Sequence, residues 1–274
     1  MPHDLDPRAT LQALLDFYVE AGVDVALDEA PRDRFTDDDR EPVPPAAART
    51  AFAERPPAPV RQPLPPTAAA APADAVAEDA RERARAARTL EELEGILAAF
   101  EGCALRFSAK NLAFADGNPQ ARVMIVGEAP GADEDRIGKP FMGRAGQLLD
   151  RMLAAIGLDR TQVYIANIVP WRPPGNRMPT PQEVAICRPF IERQIELSAA
   201  EFLVCVGGAS TQALLGVKDG ILKTRGRWFS YQAGGRTIRA LATLHPAYLL
   251  RQPLQKRLAW RDFRALRRAL DGRP

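Results

Sequence analysis

Four short apolar runs, at residues 123–126, 163–169, 202–206 and 237–244, limit what this chain can fold into. Stretches with helical spacing separate them. Residues 144–156 place Ala145, Leu148, Leu149, Met152, Leu153 and Ile156 on one helical face, and Gly157 ends the run. Residues 181–197 follow Thr180 as N-cap and begin with Pro181, a residue suited to the first helical position. Residues 210–215 form a short helix, and a basic helix closes the chain from about residue 254 to 270. The order is β-α-β-α-β-α-β-α. Continuously apolar strands alternating with helices imply a parallel sheet covered on both faces, with right-handed crossovers. The expected fold is α/β: three αβα layers around a central four-stranded parallel sheet.

In such a sheet, ligands bind beyond the carboxyl ends of the strands. Four loops leave those ends: Gly127-Glu128-Ala129-Pro130-Gly131; Asn167 with the stretch Arg172 to Arg177; Gly207-Gly208-Ala209-Ser210; and His245-Pro246-Ala247-Tyr248-Leu249. They are expected to converge on one crevice. The chain has two histidines, and His3 lies in a tail, so His245 is the imidazole available to a folded site. Neutral imidazole can donate a hydrogen bond to a developing oxyanion. Asn167 sits in an apolar strand, where an unpaired amide is costly. Its acceptor and two donors could read a planar base edge or bridge to a neighbouring loop. Glu128 puts a carboxylate at a strand end, where it could orient or activate water. Gly127 and Gly131 allow close approach to backbone. Phe141, in a glycine-rich loop, is either a stacking platform or a loop anchor. No loop has the spacing of a phosphate-cradling or dinucleotide motif.

Charge is unevenly spread. Residues 1–89 hold 11 Lys/Arg against 17 Asp/Glu, a net of −6, whereas residues 221–274 hold 13 against 2, a net of +11. A basic folded region suits an anionic partner, most often nucleic acid, or it is a solvated helix face. Residues 10–21 read as a short amphipathic helix between Thr10 and Gly22. Ten prolines among alanines mark residues 40–75 as an extended or disordered linker. Residues 76–100 recover helical character, with Thr89 as a cap. The expected organisation is an N-terminal helical segment (1–39), a Pro/Ala-rich linker with the start of a helix (40–88), and a catalytic domain (89–274). No apolar run reaches the roughly 20 residues that cross a bilayer. The amino terminus lacks a signal-peptide pattern. Three widely spaced cysteines, Cys103, Cys187 and Cys205, fit a reduced, cytoplasmic protein.

The loop motifs together resemble the family-4 uracil-DNA glycosylases. They run from Gly127-Glu128-Ala129-Pro130-Gly131 through Gly138-Lys139-Pro140-Phe141-Met142-Gly143-Arg144-Ala145-Gly146. Tyr164-Ile165-Ala166-Asn167-Ile168-Val169, Arg172-Pro173-Pro174-Gly175-Asn176-Arg177 and His245-Pro246-Ala247-Tyr248-Leu249-Leu250 follow. The resemblance covers residues 103–270. It implies a uracil-DNA glycosylase fold and hydrolysis of the N-glycosidic bond of deoxyuridine in DNA, after the nucleotide is flipped into a pocket. By similarity, Phe141 stacks on uracil, Asn167 reads its Watson–Crick edge, and His245 donates to O2. Glu128, with the backbone around Gly127, Ala129 and Gly131, holds the attacking water. Tyr248, Leu250 and Arg251 belong to a minor-groove wedge. Arg172, Arg177, Ser210 and the basic helix meet phosphates.

The family usually binds a four-iron, four-sulfur cluster through four cysteines. Here Cys103 and Cys187 match the second and fourth positions, while Phe100 and Trp171 occupy the first and third. Two thiolates cannot supply four-cysteine ligation. The expectation is no cluster, with Phe100 and Trp171 packed together in its place and Cys205 a buried strand residue. The expected protein is a monomeric, monofunctional glycosylase acting on uracil-containing DNA, without a strand-cleaving step. Residues 1–75 would bind a repair or replication protein. The alternative is a catalytically weak DNA-binding or lesion-sensing module.

Overall fold

The structure, a computed structural model, describes residues 73–272. The helix expected at 10–21 and the proline-rich stretch lie outside the described residues. Three helices come first: α1 (Ala73–Ala86), α2 (Leu90–Ala99) and the short α3 (Leu105–Ser108). The helical character expected over 76–100 is divided between two helices at the expected Thr89 cap. The break falls where Thr89 leaves helical geometry and its hydroxyl accepts from the Glu92 N–H at 3.2 Å.

The sheet contains β1 (Asp116–Gly117), β2 (Val123–Gly127), β3 (Tyr164–Asn167), β4 (Phe202–Val206), β5 (Trp228–Ala233) and β6 (Arg236–Thr243), in the order β1-β3-β2-β4-β6-β5. Its centre, β3-β2-β4-β6, is the expected parallel set. The expected count of four is corrected to six, because an antiparallel strand flanks each edge. β5 and β6 form a hairpin closed by Gly234 and Gly235, both at positive φ, as tight hairpin turns require. The other edge strand has two residues, too few to show a periodic pattern.

Six further helices connect and cover the sheet: α4 (Ala132–Ile137), α5 (Arg144–Ala154), α6 (Pro181–Leu197), α7 (Gly208–Leu215), α8 (Ile221–Thr224) and α9 (Pro246–Arg251); α10 (Lys256–Leu270) is the last. Thr180 caps α6 in a reciprocal capping box with Glu183, and Pro181 starts it.

Alternation along β2 shows why the sheet is covered twice. Met124 and Val126 join a core with Ala80, Leu93, Phe190 and Ile191 from α1, α2 and α6. Val123 and Ile125 join the opposite core with Leu149 and Leu153 of α5 and Phe263 and Leu266 of α10. On α10, buried Ala259, Phe263, Leu266 and Ala269 recur every three or four residues, which leaves Arg257, Arg261, Arg264 and Arg268 exposed.

The register aligns the carboxyl ends. Gly127 lies opposite Asn167, and Val206 opposite Thr243. The chain leaves β2 to build β3 on one side, then crosses to build β4 on the other. That reversal opens a crevice at the strand ends.

Candidate active site

A cavity of about 480 Å³ occupies that crevice. Its lining includes Glu128, Ala129, Gly131, Phe141, Asn167, Arg177, His245, Tyr248 and Arg251. The three candidate catalytic side chains, from three different strand ends, thus face one space.

His245 caps α9. The Ala247 N–H donates to its Nδ1 at 3.1 Å, so a neutral ring carries its proton on Nε2. Burial lowers the imidazole pKa to about 4, and the nearby positive charge of Arg251 pushes the same way, against a smaller opposing effect of Glu134. Near neutral pH the ring is uncharged, with one N–H to offer. Gly207 backs it: a Cβ there would lie 3.1 Å from the His245 Cβ.

Asn167 is 5% exposed. Its amide makes no hydrogen bond to the described residues, yet no buried side-chain polar atom among them is orphaned. The amide therefore opens into the cavity. Glycine at 127 is required for this arrangement, since a Cβ would stand 2.4 Å from the Asn167 Oδ1 and 2.6 Å from the Phe141 Cζ. The Glu128 carboxylate likewise has no hydrogen-bond partner among the described residues, and partial burial raises its pKa above the usual value. The Phe141 ring stacks on the His245 ring at 5.6 Å between centroids and 28° between planes.

The remaining expected contacts separate into two groups. Arg177, Tyr248 and Arg251 are at the cavity, and Arg177 also pairs with Glu183 through two nitrogens. Leu250 is exposed on α9, outside the lining. Arg172 is held inward, donating to the Asn176 Oδ1 at 2.7 Å and lying 3.9 Å from the Asp135 carboxylate. Ser210 is corrected. It is 0% exposed and its hydroxyl donates to the Val206 and Gly207 carbonyls, so it stabilises the start of α7 and cannot reach a phosphate from there.

Glu134 was not singled out from sequence. It is buried at the cavity wall, and its carboxylate accepts from the N–H groups of Gly131, Met142 and Gly143 at 3.0, 2.8 and 2.9 Å. Its spacing of three from Gly131, at the start of α4, was the available signal.

Away from the cavity, Cys103 and Cys187 lie with sulfurs 3.8 Å apart, both buried. The hydrogen bond from Cys187 draws the Cys103 thiol below its ordinary pKa and pushes that of Cys187 up, and burial adds to the rise. Phe100 and Trp171, 1% and 2% exposed, belong to the same core as the two thiols. The Phe100 ring also meets Phe190 of α6, at 5.1 Å between centroids. Two thiols with aromatic neighbours do not make a four-thiolate set, and the described residues contain no group of three or more His, Cys, Asp or Glu able to hold a metal ion. No helix among them is long and apolar enough to cross a membrane.

Residues 114–264 match the sequence profile of the uracil DNA glycosylase superfamily. The chain is 38% identical over 168 residues to a type-4 uracil-DNA glycosylase of Archaeoglobus fulgidus, covering 60% of this chain and 84% of the relative. It is 39% identical over 177 residues to one of Saccharolobus solfataricus, covering 63% and 82%. It is 41% identical over 150 residues to one of Thermotoga maritima, covering 54% and 77%.

Proposed function

Because the chain belongs to the uracil DNA glycosylase superfamily, we propose that it excises uracil from DNA through the side chains gathered at this cavity. The carrying observation is three polar groups left for a ligand: the His245 Nε2–H, the Asn167 amide and the Glu128 carboxylate. A deoxyuridine flipped from the stack enters the cavity and rests on Phe141. The Asn167 carbonyl accepts from uracil N3–H, and its NH2 donates to O4. His245 donates to O2. As the C1′–N1 bond breaks, its electron pair moves onto uracil, and the hydrogen bond at O2 strengthens with the charge. Glu128, with the backbone near Ala129 and Gly131, holds a water that adds to C1′; the water's proton passes to Glu128 or to solvent. The departing uracil anion takes a proton from solvent, leaving free uracil and an abasic site. Arg177, Arg251 and the basic face of α10 meet phosphates, and Leu250 with Arg251 fills the vacated stack.

The protein works without an iron–sulfur cluster, since the residues at two ligand positions are Phe100 and Trp171. It acts as a monomer in the cytoplasm, and residues 1–75 bind a repair or replication partner. Removing residues 1–72 should abolish such binding and leave activity on short oligonucleotides intact.

Incubation with a uracil oligonucleotide followed by alkaline cleavage tests the activity, with thymine and hypoxanthine oligonucleotides as controls. Strand scission at uracil and none at thymine is expected, and the hypoxanthine substrate shows how far the specificity extends. Absence of scission, with DNA binding retained, would favour the DNA-binding module instead.

A further inference from the structure

Phe141 has a φ of +56°, in the left-handed region that a bulky residue avoids. A strained conformation persists only where its surroundings over-determine it. Here they do so from two sides. Following Phe141, the N–H groups of Met142 and Gly143 both donate to the Glu134 Oε1. At Phe141 itself, the carbonyl accepts from Arg160 at 2.6 Å, and the Pro140 carbonyl accepts from the same guanidinium at 3.2 Å. Gly146 completes the fit, because a Cβ there would stand 1.7 Å from the Phe141 oxygen.

Arg160 is itself fixed. It donates to Asp116 at 2.7 Å and to Asp150 at 3.2 Å. Burial disfavours the Asp116 charge, but Arg160 and Lys139 outweigh it and hold that carboxyl below its usual pKa. Asp116 lies on the two-residue β1, so this edge strand has a task beyond extending the sheet.

We infer that Glu134 and Arg160 are positioning residues, a two-sided clamp that sets the Phe141 ring at the height where a flipped base can stack. Neither needs to touch the base. The inference rests on the proposed stacking role of Phe141. It predicts that loosening either side lets the turn relax toward ordinary dihedrals and carries the ring out of place.

Two measurements test it. The first incorporates 4-fluorophenylalanine at position 141 and records ¹⁹F spectra without DNA. One sharp resonance is expected in the otherwise unaltered protein, and a shifted or split resonance in Glu134→Gln and Arg160→Lys. The second is single-turnover uracil release in a double-mutant cycle with Phe141→Ala. Each clamp variant should lose roughly a hundredfold in rate when Phe141 is present. Neither should lose further rate in the Phe141→Ala background. An unchanged resonance, or the same loss on both backgrounds, overturns the clamp. If one variant fails to fold, the other carries both measurements. If the unaltered protein releases no uracil, the functional reading fails, and the ¹⁹F comparison still decides whether the clamp exists.

Discussion

At the cavity, Glu128, Asn167 and His245 each keep a polar group without a partner among the described residues, on a scaffold whose buried side-chain polar atoms are otherwise satisfied. At the corner holding Phe100, Cys103, Trp171 and Cys187, the reverse holds: the side chains are buried and apolar, and the two thiols bond each other. The cavity carries Glu128, Asn167 and His245, whereas the corner carries Phe100 and Trp171 beside its two thiols. Under the proposed function, chemistry and support are separable in this fold. Damage at the cavity should be read in rate, and damage at the corner in stability.

The largest expected effect is at the cavity. His245→Ala and Asn167→Ala should each lower single-turnover uracil release by about 10²–10³-fold, the scale for losing one donor aimed at developing charge. Thermal unfolding should show both variants folded, and binding to abasic DNA should persist. Near wild-type rates in both would break the assignment.

Trp171→Ala and Phe100→Ala come next, and should invert the pattern. Each should cost about 3–5 kcal/mol in denaturant unfolding, the range for deleting a buried aromatic. The release rate per folded molecule should change little. A collapse in rate without loss of stability would merge the two regions.

The pH dependence sharpens the contrast further. With its pKa lowered to about 4, His245 is neutral across pH 5–8, so release should show no step near the ordinary histidine value. The unfolded chain binds a proton at this histidine below about 6.5 and the folded chain does not. Stability should therefore be complete above that pH and fall as pH drops toward 4. Unfolding curves for His245→Ala should lack this component.

The smallest effect is expected from the thiols. Cys103→Ala with Cys187→Ala should cost about 1–2 kcal/mol and leave uracil release unchanged.

Much of this was legible from residues alone. The four parallel strands were, because each is a continuous apolar run, and so were Thr89 and Thr180 as caps, because capping follows local spacing. The convergence of Glu128, Asn167 and His245 on one cavity was also legible, since strand ends of a parallel sheet meet. β5 was not: its alternating burial is weak, and the Gly234-Gly235 turn is its main mark. Ser210 was misread because a hydroxyl in a strand-end loop looks available until the helix start claims it. Glu134 escaped notice because its partners are backbone N–H groups, and Arg160 because its partners, the Pro140 and Phe141 carbonyls with the Asp116 and Asp150 carboxylates, lie 10 to 44 residues away.

Under the proposed function, packing in place of iron supports the uracil site. Protein purified anaerobically should be assayed in one preparation for iron, for acid-labile sulfide and for single-turnover uracil release. Uracil release by protein with no stoichiometric iron or sulfide, unaffected by chelator, is expected. Stoichiometric iron and sulfide, with release lost on their removal, would contradict it.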